Sequence, residues 1–234
     1  WGEVARRLAH EIKNPLTPIQ LSAERLQLKL DGKLTGGDGD MLQRSTQTII
    51  NQVMAMKRMV NEFSDYARLP PPDLTALDLN ALIGEVLGLY ENSVACIEPA
   101  LAGDLPLVRG DASQLRQIIH NLLRNAEDAQ EGMENPWIGI QTCCVGSMVE
   151  LRVADNGAGF PPEIMARIFE PYVTTKAQGT GLGLAIVKKI IDEHGGVIRI
   201  QNRQPSGAQI SILLPLASSA EAKAFIGTET SIEN

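Results

Sequence analysis

Four short stretches of this chain carry residue types that could do chemistry. The first, LAHEIKNPLTP (residues 8–18), sets His10 beside Glu11, places Asn14 one helical turn on, and follows with Pro15 and Pro18. An imidazole, with its ordinary pKa of about 6.5, is largely neutral near pH 7 and competent as a nucleophile. A carboxylate that accepts the proton of one ring nitrogen fixes the tautomer and favours the positive charge that develops on attack. Glu11 is placed for that role, and Asn14 can orient a water without itself ionising. Arg6, His10 and Asn14 recur at spacings of four and share a polar helical face, so His10 is expected to be exposed. Pro15 removes the N–H that would bond to the Glu11 carbonyl and loosens the helix at this turn. Taken alone, a single exposed histidine is usually inert.

The other three stretches lie in the back half. In NLLRNAEDA (121–129), Asn121 and Asn125 fall on one helical face and Leu122, Leu123 and Ala126 on the other. Asparagine carbonyls can ligate Mg²⁺ while the amides donate to phosphate oxygens; two surface asparagines would read the same way. In VADNGAGF (153–160) a strand ends at Asp155 and turns sharply, so that backbone can approach a ligand closely. An ionised carboxylate only accepts hydrogen bonds, which suits the exocyclic amine of adenine; Asp-Asn-Gly is also a common hairpin turn. In GTGLGLAIVKK (179–189) glycines at 179, 181 and 183 open a helix whose first N–H groups and dipole suit an anion. It is neither GxGxxG nor a P-loop, since no GK[ST] follows. Each stretch is weak alone; the three in this order are strong.

These stretches need elements to hold them. Val4, Leu8, Ile12, Leu16 and Ile19 recur at helical spacing, predicting a helix over 1–30. DGKLTGGDGD (31–40) reads as a turn, and Ile49, Ile50, Val53, Met56, Val60 and Phe63 line a second helix from about 41 to 69. One helical hairpin cannot bury two stripes of this length, but a four-helix bundle of two copies can, so a homodimer is expected. Packing of the hairpin on its own C-terminal domain is the alternative. LPPPDL (69–74) ends the second helix and makes 70–75 a stiff linker. Beyond it the pattern predicts strands near 76–79 and 94–99, helices over 80–91 and 111–131, and strands over 137–145 and 148–155. A helix over 161–168, a glycine-rich turn, a helix over 182–194 and strands over 197–203 and 207–215 follow. That order predicts an α+β two-layer sandwich over 76–216, with a small polar tail over 217–234 expected to fray.

Bulk properties narrow the classes. The 234 residues suffice for two modest domains. Net charge is −7, unevenly divided into +2 over residues 1–69 and −9 over 70–234, which argues against a nucleic-acid partner. Three cysteines, Cys96, Cys143 and Cys144, form neither a disulfide framework nor a zinc pattern, and a reducing compartment fits. No run of 18 apolar residues occurs. The chain opens already in helical pattern, so it is read as a cytoplasmic fragment; a missing upstream part could anchor the whole protein in a bacterial inner membrane.

The order NLLRNAEDA, DNGAGF, FEPYVTTK (169–176), GTGLGL resembles the N, G1, F and G2 boxes of the sensor histidine kinase catalytic domain, the ATP-binding fold shared with Hsp90, DNA gyrase and MutL. HEIKNP resembles the H-box of the dimerisation and phosphotransfer domain of the same kinases, and the wider ARRLAHEIKNPLTPIQLSAERL looks like the NtrY-type nitrogen-regulation kinases. The resemblance implies ATP and Mg²⁺ as cofactors, with Asn125 on the metal and Asn121 beside it at the phosphates. Asp155 would read the adenine amine, with Gly157 and Gly159 shaping that wall. Phe169 and Tyr172, where the family often has Phe, would brace the lid. Gly179, Gly181 and Gly183 would line the triphosphate, with Lys176, Thr180 and Leu182 in the short lid. His10 would be the phospho-acceptor, Glu11 its acid/base partner, and Asn14 the residue used in dephosphorylating a response-regulator receiver domain. Two rivals remain: an ATP-driven machine of the Hsp90 or MutL kind, which forms no phosphohistidine, and a degenerate kinase that only docks a regulator. His10 in its Glu and Asn setting argues against the first, the intact Asn125, Asp155 and glycines against the second.

Overall fold

The computed structural model describes residues 2–34, 36–176, 179–222 and 225, with only the backbone of residues 2–6 and 68. The expected roles of Val4 and Arg6 on the first helix, of lid residues 177–178 and of most of the tail therefore lie outside the described residues. The chain divides into two compact units, Trp1–Pro70 with Thr174–Leu182, and Pro71–Val173 with Gly183–Asn234.

The first unit is a hairpin of α1 (Gly2–Leu30) and α2 (Gly37–Arg68). α1 continues through Pro15 and Pro18, so the carbonyls of Glu11 and Asn14 lose their usual i+4 donors. α2 starts earlier than the Gly/Asp-rich run suggests: Gly36, at φ +70°, makes the turn, and Asp38 and Asp40 lie inside the first helical turn. Their carboxylates favour the positive end of the helix dipole, which offsets the poor helix propensity of Gly37 and Gly39. Ala9, Leu16, Ala23, Thr46, Ile50 and Val53 are buried in the hairpin. Leu8, Ile12, Ile19, Ile49 and Met56 stay between 40% and 47% exposed. The expected apolar stripes are thus split between an internal seam and an outward face. Lys57 Nζ donates to Gln20 Oε1 across the seam at 2.8 Å.

The second unit contains β1 (Thr75–Leu77), α3 (Leu79–Gly88), β2 (Cys96–Ala100), β3 (Val108–Gly110), α4 (Ala112–Ala129), β4 (Trp137–Val145), β5 (Met148–Asp155), α5 (Pro162–Met165), α6 (Gly183–Glu193), β6 (Val197–Asn202) and β7 (Ala208–Pro215). A five-stranded sheet runs β2-β4-β5-β7-β6, with β2 and β4 parallel and the other pairs antiparallel. Alternation puts Ile138, Ile140, Val149, Leu151, Val153, Ile210, Ile212 and Leu214 on one face. They are buried with Leu115, Ile118, Ile119, Leu122 and Leu123 of α4 and Ile186, Val187, Ile190 and Ile191 of α6. This is the expected two-layer sandwich.

Three details depart from expectation. Three-residue β3 pairs antiparallel with β1 as a separate small sheet, too short a strand to register as a periodic pattern. The helix expected over 161–168 shrinks to Pro162–Met165, because Arg167 and Glu170 close three-residue turns instead of extending it. The first part of the tail is fastened, not frayed. Ala217 N–H donates to the Leu107 carbonyl, Ser218 and Glu221 cap each other reciprocally, and Glu221 pairs with Arg109 at 3.1 Å.

α4 owes its placement to Asp111. The Asp111 Oδ1 accepts the N–H groups of Ser113 and Gln114, and its Oδ2 accepts that of Asp73 in the linker at 3.0 Å. Its own N–H donates to Nε2 of buried His194 at 3.0 Å, so the ring proton sits on Nδ1, 2.8 Å from the Ile190 carbonyl. Burial lowers the His194 pKa from its ordinary value. The unfolded chain therefore binds the proton more readily, and this contribution to stability is full above about pH 6.5 and lost as pH falls through the lower folded value. His194→Gln, which keeps an acceptor but cannot titrate, should flatten that part of the pH dependence. Urea midpoints at pH 7.5 and 5.5, compared between wild type and variant, check it.

Candidate functional site

Asp155 closes β5 and is 8% exposed. A carboxylate at that depth needs donors, and two backbone groups supply them: Gly157 N–H at 2.9 Å and Ala208 N–H at 3.2 Å, both to Oδ1. The following loop rests on the end of α4. A Cβ at Gly157 would lie 2.5 Å from the Ala129 carbonyl oxygen, which accepts the Ala158 N–H at 3.4 Å. Gly159, at φ +72°, comes close to Asn202, whose side-chain amide holds both the N–H and the carbonyl of Phe160, at 2.8 and 2.7 Å.

Asn121 and Asn125 are half-buried on α4 and face the start of α6. A Cβ built on Gly183 would sit 3.7 Å from Asn121 Oδ1 and 3.8 Å from Asn125 Nδ2. Asn121, Asn125, Asp155, Gly157, Gly159 and Gly183 are thus brought together around α4. The set fits the expected cofactor: amide carbonyls and amides beside a bare helix start suit phosphate oxygens and a hard cation. A buried acceptor suits an amine. On the flank of α4 toward α3, the His120 Nδ1 and the Tyr90 hydroxyl lie 3.2 Å apart. Burial pushes the histidine pKa down and the tyrosine pKa up, so both stay neutral beside the asparagines.

The remaining expected residues are found in other settings. Phe169 is half-buried, while Tyr172 is exposed and holds φ +67°, a conformation costly for a bulky residue. Lys176, Gly179, Thr180, Gly181 and Leu182 fall in the hairpin's unit. There Thr180 accepts the Leu182 N–H at 3.3 Å and donates to Glu62 of α2, and Leu182 is fully buried. His10, Glu11 and Asn14 are all exposed on α1. Glu11 is engaged by Arg7 at 3.2 Å rather than by His10, because residues four apart face each other on a helix and adjacent ones do not.

Several contributors were not expected. Gly207, at φ +102°, packs so tightly that a Cβ would lie 2.0 Å from the Asp155 carbonyl oxygen. Asn156 Oδ1 accepts the Trp137 N–H at 3.0 Å and its amide donates to the Asn135 carbonyl at 2.9 Å. Arg203 Nη1 donates to the Asp155 carbonyl at 2.9 Å. The only signal for Gly207 in the sequence is its place in a Pro-Ser-Gly turn.

A hairpin presenting an exposed His-Glu-x-x-Asn turn, together with a sandwich whose central helix gathers two asparagines and a buried aspartate, defines a two-domain kinase core of the phosphohistidine class. Residues 1–72 match the family described as His Kinase A (phospho-acceptor) domain, and residues 110–218 that described as Histidine kinase-, DNA gyrase B-, and HSP90-like ATPase. The chain belongs to the sensor histidine kinases. It is 42% identical to nitrogen regulation protein NtrY of Azorhizobium caulinodans over 92% of its own length and 28% of that protein. To an NtrY-like sensor histidine kinase of Rickettsia typhi it is 39% identical, over 92% of this chain and 36% of that one. It thus spans about a third of the length of these curated relatives. Among solved structures, full-length ShkA in complex with AMPPNP is 27% identical with a TM-score of 0.67, covering 93% of this chain and 47% of that one. ThkA in complex with the response regulator protein TrrA is 30% identical with a TM-score of 0.66, covering 92% and 62%.

Gly157→Ala should force the loop off α4 and cost about 1–3 kcal/mol of stability, whereas Gly183→Ala, with ordinary contact distances, should cost less than about 0.5 kcal/mol. Urea unfolding of the two variants checks the contrast.

Proposed function

We propose that this chain is the ATP-dependent kinase core of a two-component sensor. Residues 1–69 act as the dimerisation and phosphotransfer hairpin, 70–75 as the linker, 76–216 as the catalytic domain, and 217–234 as a C-terminal tail. The observation that carries this reading is the convergence of Asn121, Asn125, Asp155 and Gly183 around α4, in a chain that also exposes His10 in its Glu and Asn setting.

Asp155 accepts a hydrogen bond from the adenine amine, Asn121 holds phosphate oxygens, and Asn125 ligates Mg²⁺. The first N–H groups of α6 face the phosphates. ATP supplies the phosphoryl group. His10 attacks the γ-phosphorus with its ring lone pair, the bond to the β,γ-bridging oxygen breaks, and ADP leaves; positioning and charge neutralisation carry the rate. Glu11 exchanges its exposed pairing with Arg7 for the His10 ring and takes up the ring proton. The phosphoryl group then passes to an aspartate of a separate receiver domain, and Asn14 orients the water that later removes it there. The complex of ThkA with a response regulator supports a partner of that kind.

A homodimer is supported by the outward apolar face of the hairpin, where Leu8 is 47%, Ile19 46% and Leu26 47% exposed. The NtrY-type relatives support a role in nitrogen regulation. Among the described residues no helix is long and apolar enough to cross a membrane. An ATP-dependent core of this kind works in the cytoplasm, and a membrane anchor in the whole protein is part of the proposal.

His10→Gln should abolish acid-labile labelling from radiolabelled ATP while nucleotide affinity stays within about twofold; equal labelling of variant and wild type would sink the assignment. Asn125→Ala, which removes the side-chain oxygen, should lose Mg²⁺-dependent nucleotide binding and labelling together, and full binding in that variant would show that Asn125 does not hold the metal.

A further inference from the structure

The sheet face turned away from the helices carries an arrangement that the kinase reading does not use. Ile138 and Ile140 point into the core, so Gly139 between them points outward, yet it is buried. The Trp137 indole lies on it: a Cβ at Gly139 would sit 2.5 Å from the ring. The Arg203 guanidinium stacks on that indole, 4.9 Å from a ring centroid. From this shelf its Nη1 donates to the Asp155 carbonyl at 2.9 Å. The turn that carries Arg203 closes on the same residue. The Arg203 N–H donates to the Gly207 carbonyl at 2.8 Å, and Ala208 N–H holds the Asp155 carboxylate.

We propose that Arg203, shelved on Trp137, is a positioning residue for Asp155: it pins the main chain behind the carboxylate and so sharpens selection of a 6-aminopurine nucleotide. The proposal rests on reading Asp155 as the carboxylate that meets the base amine. Asp155 is held at both ends, its carbonyl by a charged donor and its carboxylate by two amides, which leaves the acceptor little freedom to follow a base without an amine. Removing Arg203 frees one end. The carboxylate then adapts to either base, so ATP weakens while an amine-free analogue changes little.

The test uses the full 234-residue chain with Mg²⁺ and either ATP or purine riboside triphosphate, which lacks the 6-amino group, and reads the ratio of the two dissociation constants by calorimetry. Wild type should favour ATP by tenfold or more, and Arg203→Ala should lower that ratio by about tenfold, the scale of a hydrogen bond from a charged donor. Arg203→Lys, which keeps the charge but not the planar stack, should fall between. If Arg203→Ala does not fold, Arg203→Lys and Trp137→Phe carry the test on the same ratio. Two triphosphates weakened equally, with the ratio unchanged, would show Arg203 to be merely structural and overturn the proposal. Asp155→Asn separates the two failures. A collapsed ratio there with a wild-type ratio in the Arg203 variants overturns the brace alone. A wild-type ratio in Asp155→Asn, or no preference in the wild type, overturns both the brace and the base-reading role.

Discussion

A buried carboxylate is among the most expensive groups a protein can keep, and Asp155 imposes its terms on everything near it. It stands at the end of a central strand, where the sheet can deliver it to the edge of the core without exposing it. The N–H of Gly157 and of Ala208 must reach Oδ1, so the chain has to turn back at once after β5 and β7 has to begin beside it. Those two demands explain why Gly157 and Gly207 cannot carry side chains: one would strike Ala129, the other the Asp155 carbonyl. The loop geometry of the site thus follows from the solvation of a single side chain.

α4 is the wall on which the other pieces are hung. Its apolar side sinks into the sheet, which turns Asn121 and Asn125 toward the start of α6. Its first turn is fixed by Asp111, which gathers the linker through Asp73 and the end of α6 through His194. Linker, asparagine helix and the end of the glycine-started helix therefore meet at one residue.

What could be read in the sequence was whatever is local. Two long helices, the helix-strand alternation, Asn121 and Asn125 on one face, and the Asp155 turn all follow from spacing within about a dozen residues. The helix expected over 161–168 ends early for a reason that spacing does not carry, the three-residue turns closed by Arg167 and Glu170. β3 is too short for periodicity to show, and exists because β1 lies beside it. Gly207, Arg203 and Asn202 act on residues 42 to 52 positions away in the chain, and nothing in their own surroundings announces it. The pairing of Glu11 with Arg7 was legible in principle, since four-residue spacing is a helical rule.

The chain contains two tryptophans, Trp1 and Trp137. The second lies against Gly139, under a guanidinium that also touches the back of Asp155. The emission of a half-covered indole responds to the placement of a neighbouring cation. The sheet therefore holds an intrinsic fluorophore just behind the wall that meets the nucleotide base. With Trp1 replaced by phenylalanine, the protein would carry its own optical gauge of that wall, without a dye and without altering the sheet.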